Sequence, residues 1–299
     1  TKKEIEDKID LIKEKVLTEI SCPETIEDVY PMSDIQKGMV ILSSLNSGTG
    51  IYHDQFVFQI PTVDTERFQE AFSILIWKHA SLRSRFDLTT YEYEVQIVEK
   101  EIEFAIDYQD IKELGTKEKE DYIKRYMVSE RQNTFSMESG LLWRISLFQI
   151  SETATIFLFQ FHHAILDGWS MATLNTELFQ IYRDLTNSTT PKFEKLKSTN
   201  RDAIIEELYE KNNQENISFW QEELADYKRL DIFKSENANE HFEKVYDFDF
   251  KYKLEEKCKK DGVSIKTAIY AAFIHVLKIM NYEEDFEIGK VTNNRPVIE

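Results

Sequence analysis

Two hydrophobic periods alternate along the chain. Residues 1–20 carry Ile5, Ile9, Ile12, Val16 and Ile20 at intervals of three and four, with charges between them. That spacing predicts an amphipathic helix. It ends at a break, Ser21-Cys22-Pro23, and reads as a linker or packing helix or as a docking helix for an upstream partner. Ser33, just after Pro31, is a good N-cap and predicts a helix over 34–45. HDQFVFQI (53–60) alternates as a strand does. Phe68, Ala71, Phe72, Leu75 and Ile76 return to the helical period over 63–79. SRFDLT (84–89) and YEVQIVEK (93–100) predict two strands, and 111–132 a charged helix. LLWRISLFQI (141–150) and TATIFLFQF (153–161) are strong strands joined by a polar turn. Leu174, Leu178, Ile181, Tyr182 and Leu185 lie on one face of a helix over 169–185.

Residues 186–200 are polar, contain Pro191 and predict a surface connection between lobes. A helical stretch then runs to about residue 227. KVYDFDF (244–250) alternates as a strand, 263–280 is a helix with an apolar face, and FEIGKV (286–291) begins another strand. Strands interleaved with helices predict an α/β (α+β) class with helices packed on sheets.

Composition narrows the function classes. The 299 residues suit two lobes of about 150 residues each. A hydrophobic content of 41% and a charged content of 31% describe a globular chain. The formal net charge of −18 argues against nucleic acid as a partner, because backbone binding needs clustered Lys and Arg. Cys22 and Cys258 are spaced for neither a zinc site nor a disulfide framework and read as reduced thiols. No secretory signal opens the sequence, and apolar runs such as TIFLFQF are far too short to span a bilayer. The cytoplasm is the expected compartment, with no membrane partner and no metal.

The chemistry concentrates in FQFHHAILDGWS (159–170). An apolar strand ends in His162-His163, three apolar residues follow, and Asp167-Gly168 precedes a helix opening at Trp169-Ser170. Successive strand side chains point to opposite faces. At most one histidine therefore enters a cleft, and the other packs on the far side. A histidine at a strand end suits a general base near neutral pH, and Asp167 is placed to fix its geometry. A satisfied core histidine pair with an Asp-Gly turn accounts for the same residues.

His-His-x-x-x-Asp-Gly is the hallmark of the superfamily of nonribosomal peptide synthetase condensation domains and chloramphenicol acetyltransferase, and HHAILDGWS resembles the condensation-domain form. Further segments match in order. YPMSDIQKGMV (30–40) resembles the opening signature. KHASLRSRF (78–86) resembles the Arg-His-Glu-x-Leu-Arg-Thr-x-Phe segment, with Lys78, Ala80 and Ser84 substituted. Phe219-Trp220 with Leu224 fits the inter-lobe helix, and IGKVTNNRPVIE (288–299) resembles Gly-x-Val-x-x-Gly-Arg-Pro, with Asn294 for Gly.

The resemblance implies a two-lobed chloramphenicol acetyltransferase-like pseudo-dimer with a tunnel open to donor and acceptor carriers. It implies amide formation between acyl groups held as thioesters on phosphopantetheine arms, which peptidyl carrier proteins supply beside an adenylation domain. The chain would bind no cofactor itself. By position, His163 matches the catalytic histidine and His162 a structural one. Asp167 matches an aspartate expected to pair with an arginine, here Arg295 or Arg83. Gly168 matches a glycine where a side chain would block the tunnel or spoil the turn, and its N–H is a candidate oxyanion donor. Trp169 and Ser170 fall on the tunnel wall, although a Trp at a helix start is commonly a core residue. Gln36 and Met39 are expected to pack.

The expected divisions are 1–22 linker or docking helix, 23–190 N-terminal lobe, 191–240 connection, and 241–299 a partial second lobe. The family runs to more residues than this, so the second lobe is expected to be incomplete and the chain alone a poor catalyst. The Asp-x-x-x-x-Asp of cyclization relatives is absent, DGWS differs from epimerization relatives, and SDIQKGM with IYHDQF resembles L-donor or dual types. An ester-forming acyltransferase and a non-catalytic carrier-binding platform remain alternatives.

Overall fold

The computed structural model describes residues 1–191, 193–227, 244–282 and 285–289. It divides into two compact units, the first holding Thr1–Asn213 and the second Gln214–Asn294.

In the first unit α1 (Lys2–Glu19) starts on a capping box between Thr1 and Glu4. It is followed by β1 (Ile26–Pro31), α2 (Asp34–Leu45), β2 (His53–Pro61), α3 (Thr65–Lys78), β3 (Ser84–Asp87), β4 (Val95–Glu99) and β5 (Asp107–Asp110). Then come α4 (Thr116–Gln132), β6 (Trp143–Gln149), β7 (Ala154–His162), α5 (Gly168–Thr186) and α6 (Asn200–Lys211). One sheet has the order β1-β4-β3, and the other β2-β7-β6-β5. All pairings are antiparallel except β5 with β6.

Alternation along the strands decides which side chains reach each face of the larger sheet. Ile145, Leu147, Phe157, Phe159 and Phe161 join Phe68, Phe72 and Leu75 of α3 and Leu174 and Leu178 of α5 in the main core. Phe148 and Leu158 face the other way, against Tyr122, Tyr126 and Met127 of α4. The sheet is thus buried on both sides, which explains why β6 and β7 read as nearly unbroken apolar runs. α1 is a packed part of this unit: Ile9 joins Tyr30, Ile204 and Ile205, and Val16 joins Ile26, Val29 and Ile97. Residues beyond 191 also belong to it. Lys195 Nζ reaches Glu27 Oε1 at 3.1 Å, and Arg201 of α6 pairs with Asp10 and Asp28.

The second unit holds α7 (Gln214–Glu223), α8 (Phe248–Lys260) and α9 (Ile265–Asn281) among its described residues. KVYDFDF is not a strand. Asp247 accepts the Phe250 N–H at 2.9 Å and caps α8, so the alternating aromatics are the first turn of a helix. Phe286–Gly289 form no strand, and the rest of the expected FEIGKV strand lies outside the described residues. β1 and β5 were not predicted. Asp107–Asp110 is polar and mostly exposed, and only its parallel pairing with β6 makes it a strand. Among the described residues no single helix is long and apolar enough to cross a membrane.

Candidate active site

β7, an interior strand of the first unit's larger sheet, ends at His162, His163 follows it directly, and the two side chains part as strand geometry requires. His162 is 2% exposed. Its Nδ1 accepts the Ala164 backbone N–H at 3.1 Å, so the proton of the neutral ring sits on Nε2, which donates to Ser43 Oγ at 2.7 Å. Burial, reinforced by the neighbouring His163 and His53, pushes its pKa down to about 4. His162 is a neutral, fully engaged structural ring. Beside it, His53 is buried against Phe135 and gives its Nε2 hydrogen to Gln160 Oε1 at 3.2 Å.

His163 points the other way, with its side chain 35% exposed. Its backbone N–H donates to the Tyr52 carbonyl at 2.8 Å, one residue beyond the β2–β7 ladder. Its Nδ1 lies 2.5 Å from Asp54 Oδ2. Among the described residues Nε2 has no hydrogen-bond partner, and the ring lines a cavity of about 550 Å³. Leu166, Asp167, Ser170, Lys78 and His79 share that wall.

Asp167 does not fix the histidine. It is the N-cap of α5 and accepts the Ser170 N–H at 2.7 Å. Arg83 is not its partner either. The guanidinium is buried, donates to the Ile76 carbonyl at 3.1 Å and to Glu27 Oε2 at 2.7 Å, and also reaches the Glu99 carbonyl. Arg295 lies outside the described residues. Gly168 has an ordinary φ, and a Cβ there would meet no described atom within 4 Å. Gly168 is exposed at the start of α5, and neither its backbone conformation nor a close neighbour among the described residues requires a glycine there. Trp169 is 66% exposed and is not a core residue, whereas Ser170 is part of the cavity wall. Gln36 and Met39, expected only to pack, both line the same cavity as His163, and Met39 also packs against the main core. Gln36 closes the α2 capping box with Ser33, and its Nε2 donates to the Ala164 carbonyl at 3.1 Å, which braces the histidine loop.

Two features escaped the sequence reading. Asp54 lies more than 100 residues from His163 and becomes its partner only through the β2–β7 register. Glu177 of α5 binds Lys78 Nζ at 2.8 Å and His79 Nε2 at 2.6 Å, two residues of the same cavity wall. Burial pushes the Glu177 carboxyl up, but its bonds to Lys78 and His79 outweigh this and hold it below the usual carboxylate range.

With this geometry established, comparison with known proteins identifies the family. A family model described as the condensation domain matches residues 26–298. The chain belongs to the condensation-domain family. It is 24% identical over 279 residues to a plipastatin synthase from Bacillus subtilis (strain 168), covering 91% of this chain and 8% of that protein. It is 26% identical over 288 residues to a mycosubtilin synthase from Bacillus subtilis, covering 91% and 11%. The chain thus spans about a tenth of these curated relatives' length. Among solved structures, the EpoB cyclization-docking bidomain from Sorangium cellulosum aligns with a TM-score of 0.64 at 18% identity, covering 86% of this chain and 53% of that one. The starter condensation domain of rhizomide synthetase gives 0.60 at 15%, covering 67% and 50%. The condensation-domain fold is shared despite this low identity.

Proposed function

We propose that this condensation domain forms an amide bond between a donor acyl or peptidyl thioester and the amine of an acceptor aminoacyl thioester, within a nonribosomal peptide synthetase. The observation that supports this best is the division of labour in HHAILDG: one histidine is neutral, buried and fully bonded, and its neighbour presents to a cavity an Nε2 that has no hydrogen-bond partner among the described residues. Nε2 of His163 accepts a proton from the acceptor amine as its nitrogen attacks the donor carbonyl. The Gly168 N–H, at the start of α5, is assigned to the developing oxyanion. The tetrahedral intermediate then expels the donor thiolate, the C–S bond breaks, and the imidazolium returns its proton to that sulfur. Both substrates arrive on phosphopantetheine arms of partner carrier proteins in the cytoplasm, beside an adjacent adenylation domain.

The test mixes donor-loaded and acceptor-loaded carriers with the synthetase that contains this chain and follows the acceptor carrier by intact-protein mass spectrometry. The joined product is expected, and its rate should fall at least tenfold in His163→Ala. Carrier binding without product in the unmodified protein would favour a recruitment platform. Product with a free hydroxyl acceptor instead of the amine would favour an ester-forming enzyme.

A further inference from the structure

We propose that Asp54 is the positioning residue for His163, holding the ring as the Nδ1–H tautomer so that Nε2 is the atom offered to the acceptor amine. This rests on the amide-forming assignment above but is argued from separate observations.

The first is hydrogen-bond chemistry. An ionised carboxylate can only accept. At 2.5 Å from Asp54 Oδ2, Nδ1 must carry the hydrogen, and the lone pair of the neutral ring is then on Nε2. Among the described residues the Asp54 carboxylate pairs with no Lys or Arg. Among the described residues its one side-chain partner is the ring of His163.

The second is register. Asp54 stands opposite Phe161 on the β2–β7 ladder. His163 continues the pairing one residue past β7 and shares the face of Phe161, so the Asp54 side chain emerges on the same side of the sheet as His163 and one step from it. Both members of the pair are on paired backbone rather than on free loops, and the His163 N–H extends the ladder to the Tyr52 carbonyl at 2.8 Å.

The third is backbone strain at the contact. Tyr52 has φ of 58°, a left-handed conformation that is unfavourable for a bulky residue. Its carbonyl is the one that accepts the His163 N–H, and its ring stands edge-on to His162 at 6.1 Å. An unfavourable conformation kept at the residue that fixes the His163 backbone, two positions before Asp54, indicates a site held in place by its surroundings.

The inverse arrangement is found at His162. There the backbone N–H of Ala164 occupies Nδ1 and forces the hydrogen onto Nε2. The two adjacent rings are therefore held in opposite tautomers, one facing the interior and one facing the cavity.

The test has two arms. In the first, histidine-specific 15N labelling of this chain, with His163 assigned from His163→Gln, reads which ring nitrogen is protonated. Nδ1–H is expected in the unmodified chain, with Nε2–H appearing in Asp54→Asn, whose amide can donate to Nδ1. In the second, amide formation is measured in the full synthetase. Asp54→Asn should lower kcat tenfold to a hundredfold with KM nearly unchanged, and Asp54→Glu should recover part of it. An Nε2–H tautomer in the unmodified chain, or unchanged kcat in Asp54→Asn while His163→Ala is impaired, would overturn the proposal. If the synthetase formed no amide at all, the function assignment would fail while the tautomer arm still decided the role of Asp54.

Discussion

Replacing His162 tests the claim that it is a neutral structural ring. The ordinary histidine value near 6.5 is pushed down to about 4 by burial and by the two neighbouring histidines. The physical obstacle to protonation is local: Nδ1 already faces the Ala164 N–H, and a second hydrogen there would set two donors against each other. As pH falls below 6.5 the unfolded chain takes up a proton that the folded chain refuses. Folding stability is intact above the unfolded value and is lost on acidification, at 1.36 kcal/mol per pH unit. The loss from this one group is about 2 kcal/mol by pH 5 and about 3 kcal/mol by pH 4. His53 is shifted in the same direction, again chiefly by burial, and adds to it. His162→Asn keeps an acceptor near Nδ1 but cannot titrate. Urea unfolding of both proteins, followed by tryptophan fluorescence at steps from pH 7.5 to 5, measures the difference directly, because carboxylates common to both cancel. The variant is expected to be less stable at pH 7 yet to lose about 2 kcal/mol less on acidification. Parallel pH dependences would refute the reasoning and show that His162 is protonated in the folded state.

Asp167→Ala removes the N-cap of α5 and should cost about 1 kcal/mol, read as a lowered urea midpoint with an unchanged slope. Trp169→Ala should leave stability within about 0.5 kcal/mol, because the ring is exposed; a raised KM for carrier-bound substrate would then assign Trp169 to the substrate path. Arg83→Met strands part of the charge on Glu27 and the three carbonyls of Ile76, Glu99 and Lys100, and should destabilise by about 3 kcal/mol in thermal or urea unfolding. Gln36→Ala cuts both the α2 capping box and the brace to Ala164, and is expected to cost about 1–2 kcal/mol while also broadening the His163 ring signals.

Much of the first unit was legible along the chain because its signals are local. Ser33 and Gln36 make a capping box within four residues, and the helix over 34–45 follows the expected bounds. The apolar runs of β6 and β7 and the face of α3 follow from periodicity alone. The opposite orientations of His162 and His163 came from the two-residue alternation of a strand. KVYDFDF went wrong because a short alternation is also compatible with the first turn of a helix, and the Asp247 cap decided between them. β5 was invisible because Asp107–Asp110 has no apolar face of its own, and its identity comes from β6.

The partners of the site residues were a different matter. Asp167, four residues from His163, was the natural candidate to hold the ring, and Arg83 or Arg295, the latter outside the described residues, the candidate to pair with Asp167. Instead Asp167 caps α5, Arg83 holds Glu27, and the distant Asp54 reaches His163. The sequence by itself determined which residues are chemically equipped, which elements carry them and which strand face each occupies, because those depend on spacings of two to four residues. Only the tertiary structure decided which donor meets which acceptor. That depends on the β2–β7 register, and a one-residue slip in it would turn Asp54 to the opposite face of the sheet.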